Sequence, residues 1–523
     1  MKIKICLVVF LSVVCLNALQ AQKRSIDTLS ILSFNDFHGA FAPDDGVPGA
    51  AKLVQAILNE KQKYRDPIVV SVGDNFSGSY FSRITRGEPL SKMFKTMGVA
   101  MSAVGNHEFD WGLKYLIDTA AVYSNYISAN ITTDGVNIPT WTKPYHIINY
   151  KLKDGDIFKI AFIGLTTTET AHKTTPENIE GLEFIHPLAG ASVETLYDLK
   201  KEGKIDMIVL LMHIGTDMED KDRIIEPNAA VLPYMDKIDA IISGHSHKLV
   251  LDKVNNCPII QAGVNGTHIG KLSFAITQDK KGNGYVVRYI AGDTLSTQNA
   301  AENRDVLAHV NRYIDKYGLN EHITVAKTSI IHDRNINKFN YTSVGAYVSS
   351  SFADCYMKNA KWDNTIPVIG MCHYGGVRAN IAAGEVTRLK AGNVLPFGGM
   401  VVAYHFTGER LKSLLQAGRE NKNGYLQTSN MSLQLDAQNK ISKIFYKHSD
   451  GSLSEIKEND NCVVALYNFI TNGGDGYDAS LFSGYEIKEF NDKCFDTTTS
   501  FINYLKTQDL ISEETAPKPI VFR

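Results

Sequence analysis

The first half of this chain carries short apolar runs that end, again and again, on Asp, His or Asn, and this recurrence limits the fold more than any other feature. LSILSF runs into NDFHG, IVVSV into GDNFSGS, the lead-in AV into GNHEFDWG, IVLLM into HIG and IDAIIS into GHSHK. Runs this short and rich in β-branched residues read as strands when turn residues bound them. They predict strands at Leu29–Phe34, Ile68–Val72, Ile160–Ile163, Met207–Met212 and Ile238–Ile242. Helix-like segments separate them, which makes residues 28–295 an α/β domain. In an open α/β sheet the strand ends converge on one crevice, where ligands bind. Asp36, His38, Asp74, Asn106, His213, His245 and His247 are therefore expected to meet at one place. Asp36 and His38 stand two apart, as do His245 and His247, so each pair points to one side of an extended segment.

Each member alone has a plainer explanation. A single His ending a strand is usually a satisfied structural residue, GHSH can be only a turn, and Asp74 after Gly73 is an ordinary loop residue. Acids such as Glu108 and Asp110 suit the start of a helix, where the dipole is positive. Coincidence does not explain seven such side chains in one recurring position.

Asp, His and a carboxamide without a thiolate suit divalent ions such as zinc, manganese, iron or cobalt. Seven ligands exceed what one tetrahedral zinc takes and match two ions sharing a carboxylate. Such a pair clamps the oxygens of an in-line displacement at phosphorus and activates water. The HEFDW stretch is no zincin motif, because Trp111 stands where the second His would be needed.

At 523 residues the chain is too long for one ordinary core, and two domains are expected. NRDVLAHVNRYIDKYGLN places Val306, Leu307, Val310, Tyr313, Ile314 and Tyr317 at helical spacing with Gly318 as a stop, a connector helix within 300–325. Residues 326–523 mix helices and strands around Gly-rich turns, a second α/β domain. The formal net charge of −2 and the lack of a polybasic run argue against a nucleic-acid polymer as partner. MKIK followed by ICLVVFLSVVCLNAL and LQA reads as a signal peptide over residues 1–21, cleaved near Ala21, for export to a periplasmic or extracellular location. Val14 makes a lipid anchor on Cys15 a poor alternative, and no later segment reads as a transmembrane helix. Beyond the leader stand Cys257, Cys355, Cys372, Cys462 and Cys494, an odd set without CxxC spacing. That argues against a zinc ribbon or thiol redox site and leaves room for one or two disulfides.

NDFHG, GDNFSG, GNHEFDWG, LLMHIG and GHSHK together resemble the calcineurin-like metallophosphoesterase domain, while GGVR, LPFGG and NFITNGGDGY resemble the 5′-nucleotidase C-terminal domain. The resemblance implies a four-layer metallophosphoesterase β-sandwich flanked by helices, followed by an α/β substrate-binding domain. It implies one metal on Asp36, His38 and His247, a second on Asn106, His213 and His245, and Asp74 bridging both. His247 stands where some members carry Gln, which can also ligate. His107, oriented by Asp110, would stabilise charge on the transferring or leaving oxygen, and water activated by the metals would attack. Phe397 and Phe469 match the aromatics that sandwich a nucleobase, Asp475 the acceptor of ribose hydroxyls and Arg378 a phosphate clamp. Two departures stand out: HYGGVR puts His373 in place of an Asn, and KFNYTSVGAY puts Lys338 where an Arg is expected. Arg and Lys are not equivalent at a bidentate site. The expected activity is hydrolysis of nucleoside 5′-monophosphates. Nucleotide-sugar hydrolysis, 2′,3′-cyclic-nucleotide hydrolysis and a non-catalytic nucleotide-binding surface protein are the alternatives. No oligomeric state follows from the sequence.

Overall fold

The computed structural model describes residues 26–120, 125–186, 192–216, 236–254, 256–279, 284–330, 341–362, 364–421, 425–517 and 520–522. The proposed signal peptide and Lys338 lie outside the described residues.

Two six-stranded sheets build the first domain. One runs in the order Tyr285–Ser296, His268–Gln278, Asp27–Phe34, Ile68–Ser71, Val99–Ala103, Tyr126–Ile127. The other runs Leu249–Val254, Cys257–Ala262, Ala240–Ser243, Met207–His213, Ile157–Thr166, Tyr145–Lys151. The strands at each centre are parallel: Ile31 to Phe34 pair with Ile68 to Ser71, and Ala240 to Ser243 with Val209 to Met212. Parallel strands are covered on both faces, which is why these segments read as almost unbroken apolar runs.

Leu29, Ile31, Val70 and Leu272 of the first sheet pack on Phe158, Ile160, Val209 and Ile242 of the second. On the outer side of the first sheet, Leu32 and Phe34 meet Leu53, Val54 and Ile57 of helix Ala50–Lys61 and Phe94 of helix Pro89–Met97. On the outer side of the second, Ile163, Leu210 and Ile241 meet Val193 and Leu196 in the segment of helix Ser192–Lys201. The result is the expected stack of helix, sheet, sheet and helix. Because the central strands of each sheet run parallel, the loops that follow Phe34, Ser71 and Ala103 leave from one edge, as do those after His213 and Ser243.

The connector helix covers Arg304–Lys316, capped by the Asn303 side chain accepting from the Val306 amide, and Gly318 just beyond it takes a φ of 59°. Its buried residues Val306, Val310 and Ile314 recur every four positions and join the core under helix Ala50–Lys61. The helix is thus packed on the first domain. A strand over His322–Ile330 follows it and pairs with Ala382–Thr387.

The second domain centres on a five-stranded sheet ordered Leu426–Thr428, Val368–His373, Asn461–Tyr467, Met400–Thr407, Phe495–Asp496. Helix Ser343–Asn359 covers one face through Val344, Tyr347 and Phe352, and helix Gly408–Glu420 the other through Leu411, Leu414 and Leu415. The two domains touch where Arg83 pairs with Asp496 and donates to Thr498 Oγ1 at 2.7 Å, and where Asn393 accepts from the Tyr80 amide at 3.0 Å and donates to Asp44 at 2.7 Å. Cys257, Cys355, Cys372 and Cys462 are buried free thiols, and Cys494 is free and exposed. Among the described residues no helix is long and apolar enough to cross a membrane.

Candidate active site

The loops after Phe34 and Ser71 are laced together by their backbones. Asp36 N donates to Gly73 O at 3.1 Å, His38 N to Asp74 O at 2.8 Å and Gly39 N to Asn75 O at 3.0 Å. The backbone here takes unusual conformations: Asp36, His38, Asp74, His245 and His247 have φ of 48°, 51°, 54°, 75° and 59°. Asp and His tolerate the left-handed region better than most residues, yet each such position costs on the order of 1–3 kcal/mol and persists where surroundings enforce it. Glycine is required beside them. A Cβ on Gly105 would lie 2.1 Å from Asp74 Oδ1, and one on Gly73, whose φ is 89°, would lie 2.6 Å from Gly105 N.

Hydrogen bonds fix which imidazole nitrogens face inward. His38 Nδ1 donates to Ser77 O at 2.9 Å and His213 Nδ1 to Val72 O at 2.7 Å, which leaves both Nε2 atoms as lone-pair donors toward the centre. There His38 Nε2 lies 3.0 Å from His247 Nε2, and His213 Nε2 lies 3.2 Å from Asn106 Oδ1 and 3.1 Å from Asp74 Oδ2. His247 Nε2 is 3.5 Å from Asp36 Oδ1. His245 Nε2 is held by Glu169 at 2.9 Å, leaving Nδ1 for the centre.

Electron-rich atoms so close together need positive charge between them. Burial opposes charge on His213, but Asp74 and then Asp36 outweigh it and push its pKa up to about 10. Burial likewise opposes ionisation of Asp36 and Asp74, yet the surrounding imidazoles hold both carboxyls below the usual range. Three overlapping groups could each hold an ion, with ligand atoms within 4.8 Å of one another: Asp36, His38 and His247; His38, Asp74 and His107; Asp74, His213 and His245. The nitrogen and oxygen donors suit borderline divalent ions, and Asp74 belongs to two of the three groups.

His107 adjoins this centre. Its amide donates to Asp74 Oδ1 at 2.8 Å and its Nδ1 lies 2.8 Å from Asp110 Oδ2, which also accepts from Ser77 Oγ. Burial disfavours the imidazolium, but Asp110 and Asp74 outweigh it and raise the His107 pKa.

A cleft of about 260 Å³ runs from Asn106, His107 and Asp110 to His373, Arg378, Phe397, Phe469 and Asp475 of the second domain. Phe397 lies flat on His107, with ring centroids 4.9 Å apart, and the Arg378 guanidinium lies 5.3 Å from the Phe397 ring centre. Phe469 stacks on His373 at 5.0 Å. Burial holds His373 below the usual imidazole pKa. Its Nδ1 and the Asp475 Oδ2 are buried without hydrogen-bond partners, two polar atoms at the cleft wall.

Three supporting residues were not anticipated. Buried Glu108 accepts from the amides of Asp74 at 2.7 Å, Gly105 at 2.7 Å and Asn75 at 2.8 Å, tying two ligand-bearing loops to one carboxylate. Asn35 donates to Asp36 Oδ2 at 2.6 Å and accepts from Ala262 N at 2.7 Å. Glu169 orients His245. Asn35 and Glu108 adjoin predicted ligands, and that adjacency was the available signal.

Comparison with known proteins agrees in both halves. Residues 29–249 match the calcineurin-like phosphoesterase family and residues 323–481 match the 5′-nucleotidase C-terminal domain. The chain is 26% identical over 498 residues to a 5′-nucleotidase of Vibrio cholerae, covering 86% of this chain and 85% of that one. It is 25% identical over 518 residues to the protein UshA of Escherichia coli, covering 88% of each. The crystal structure of a 5′-nucleotidase precursor from Thermus thermophilus superposes with a TM-score of 0.75 at 22% identity, over 95% of this chain and 99% of that one, so the fold is shared. The chain belongs to the 5′-nucleotidase family, metallophosphoesterases that join a calcineurin-like domain to a 5′-nucleotidase C-terminal domain.

Proposed function

We propose that this protein is an exported 5′-nucleotidase that releases phosphate from nucleoside 5′-monophosphates, with residues 28–295 as the metal domain and 326–523 as the substrate domain. One observation carries the reading: a single cleft is lined by the proposed metal ligand Asn106 and by His107 of the first domain, and by Phe397, Phe469 and Asp475 of the second. A phosphoryl group and a nucleoside can occupy it together.

Asp36, His38 and His247 would hold one divalent ion, Asn106, His213 and His245 the other, and Asp74 both. Zinc, manganese or a similar ion bound there supplies an activated water and neutralises phosphoryl oxygens. His107, whose pKa Asp110 raises against the effect of burial, would offer a proton to the transferring or leaving oxygen. Arg378 offers a fork of donors to phosphate oxygens. Phe397 and Phe469 stack on the base without selecting it, and Asp475 accepts from the sugar hydroxyls. The name of the Vibrio cholerae relative supports the substrate class. Export rests on the leader sequence.

His373 favours keeping a second reading, in which the sugar carries a further group and the substrate is a nucleotide sugar or a 2′,3′-cyclic nucleotide. Phosphate release from a panel of nucleoside monophosphates, nucleotide sugars, cyclic nucleotides and p-nitrophenyl phosphate, each with manganese or zinc, separates these. Higher kcat/KM for nucleoside monophosphates is the expected result. No hydrolysis of any phosphate ester with any divalent ion would leave only a binding protein.

A further inference from the structure

We propose that Lys173, a residue of the metallophosphoesterase domain, positions Asp475 of the other domain for recognition of the ribose diol. The inference rests on the nucleotide reading above and deepens it. Lys173 ends the short helix Thr170–Lys173 in the first domain, whereas Asp475 lies in the turn Gly474–Gly476 of the second. Their side chains meet across the cleft, Nζ to Oδ1, at 3.3 Å. The Asp475 side chain is only 5% exposed and that of Lys173 25% exposed, so solvent and salt screen the pair weakly.

The carboxylate is held in place from behind. Asp475 adopts a φ of 54°, and Asn421 Nδ2 donates to its carbonyl at 2.9 Å. Among the described residues its ion-pair neighbours are Lys173 and His373, and His373 Nε2 lies farther away at 3.8 Å, on an imidazole that burial disfavours as a cation. Oδ1 is therefore fixed by Lys173, while Oδ2 is buried without a hydrogen-bond partner, on a residue that lines the cleft. A carboxylate accepts at about four lone-pair sites, so the oxygen that Lys173 leaves open can take a sugar hydroxyl, with capacity remaining on the other for its neighbour. A buried carboxylate stripped of its counter-charge is costly. The sugar is thus read by a carboxylate from one domain that is set by a cation from the other.

The test compares wild type, Lys173→Ala and Lys173→Arg on three substrates: a nucleoside 5′-monophosphate, its 2′,3′-dideoxy analogue and p-nitrophenyl phosphate. The expected result for Lys173→Ala is a KM for the ribonucleotide raised about 10-fold or more, the scale on which truncating one partner of a buried charge pair weakens binding. Its KM for the other two substrates should change less than about twofold, with partial recovery in Lys173→Arg. A purely structural lysine would affect all three substrates alike, and that outcome, or an unchanged ribonucleotide KM, overturns the proposal while leaving nucleotidase activity standing. Wild-type protein that hydrolyses p-nitrophenyl phosphate but no nucleotide overturns the nucleotide reading and this proposal together.

Discussion

The His107 imidazole and the Phe397 ring lie face to face, 4.9 Å between centroids and 1° from parallel, although they come from different domains. The aromatic residue expected to stack on the base thus touches the imidazole expected to serve the phosphoryl group. Phe469 stacks on His373 instead, within the second domain. Loss of a base stack costs about 1–3 kcal/mol, equivalent to roughly 5- to 150-fold in affinity. Phe469→Ala should raise KM for nucleotides on that scale and leave p-nitrophenyl phosphate untouched. Phe397→Ala should do the same to nucleotides and also lower kcat for p-nitrophenyl phosphate, because His107 loses its packing partner. Steady-state kinetics on both substrates decides, and equal effects of the two variants would remove the distinction.

His107 contacts the metal cluster through its backbone amide, which donates to Asp74 Oδ1, so the side chain can be removed without removing that anchor. His107→Ala should keep the metal content of wild type while kcat falls about 10²-fold or more, the usual worth of a positioned proton donor. Elemental analysis and turnover on the same preparation provide the check. A matching loss of metal would make His107 a ligand, as its closeness to His38 and Asp74 allows on distance alone.

Asp110 raises the His107 pKa through charge and a hydrogen bond, working against burial. Replacing it with Asn removes the negative charge, lowers that pKa and so deprotonates His107 at lower pH. If the protonated form is the working one, the alkaline limb of kcat/KM should move down in Asp110→Asn. An opposite charge at this range shifts a pKa by about 1–3 units, and a displacement on the order of one unit is expected. A limb that stays put would assign it to another group.

The gathering of these side chains was legible because each stands at or near the end of a strand; Asp36 and His38, or His245 and His247, are two residues apart, although left-handed turns rather than the expected extended segments hold them. The connector helix was legible from its 3.6-residue period, but its docking on helix Ala50–Lys61 was not, since periodicity identifies a buried face without its partner. Lys173 was invisible for a related reason. Its partner Asp475 lies 302 positions away, and nothing in TAHKTT marks a lysine that reaches another domain. Glu108 was in view and misread, because an acid opening a helical turn satisfies the dipole rule without further explanation. Only the folded loops reveal three amides aimed at its carboxylate.

Those amides yield the last prediction. Glu108 is fully buried, and burial followed by the nearby Asp74 charge pushes its pKa up to about 7, so the fold keeps an awkward carboxyl there for the bonds it accepts. Glu108→Ala would leave the amides of Asp74, Gly105 and Asn75 without acceptors, at a cost of about 1–3 kcal/mol for each buried group left unpaired. It would also free the loop that carries Asp74, and loss of support behind a metal ligand typically weakens metal affinity about 10- to 100-fold. Glu108→Gln keeps one carbonyl acceptor of nearly the same shape and should lose less on both counts. Thermal unfolding together with metal titration of activity should therefore rank wild type above Gln and Gln above Ala in both Tm and metal affinity. A variant whose Tm falls while its metal dependence matches wild type would confine Glu108 to folding and detach it from the metal centre.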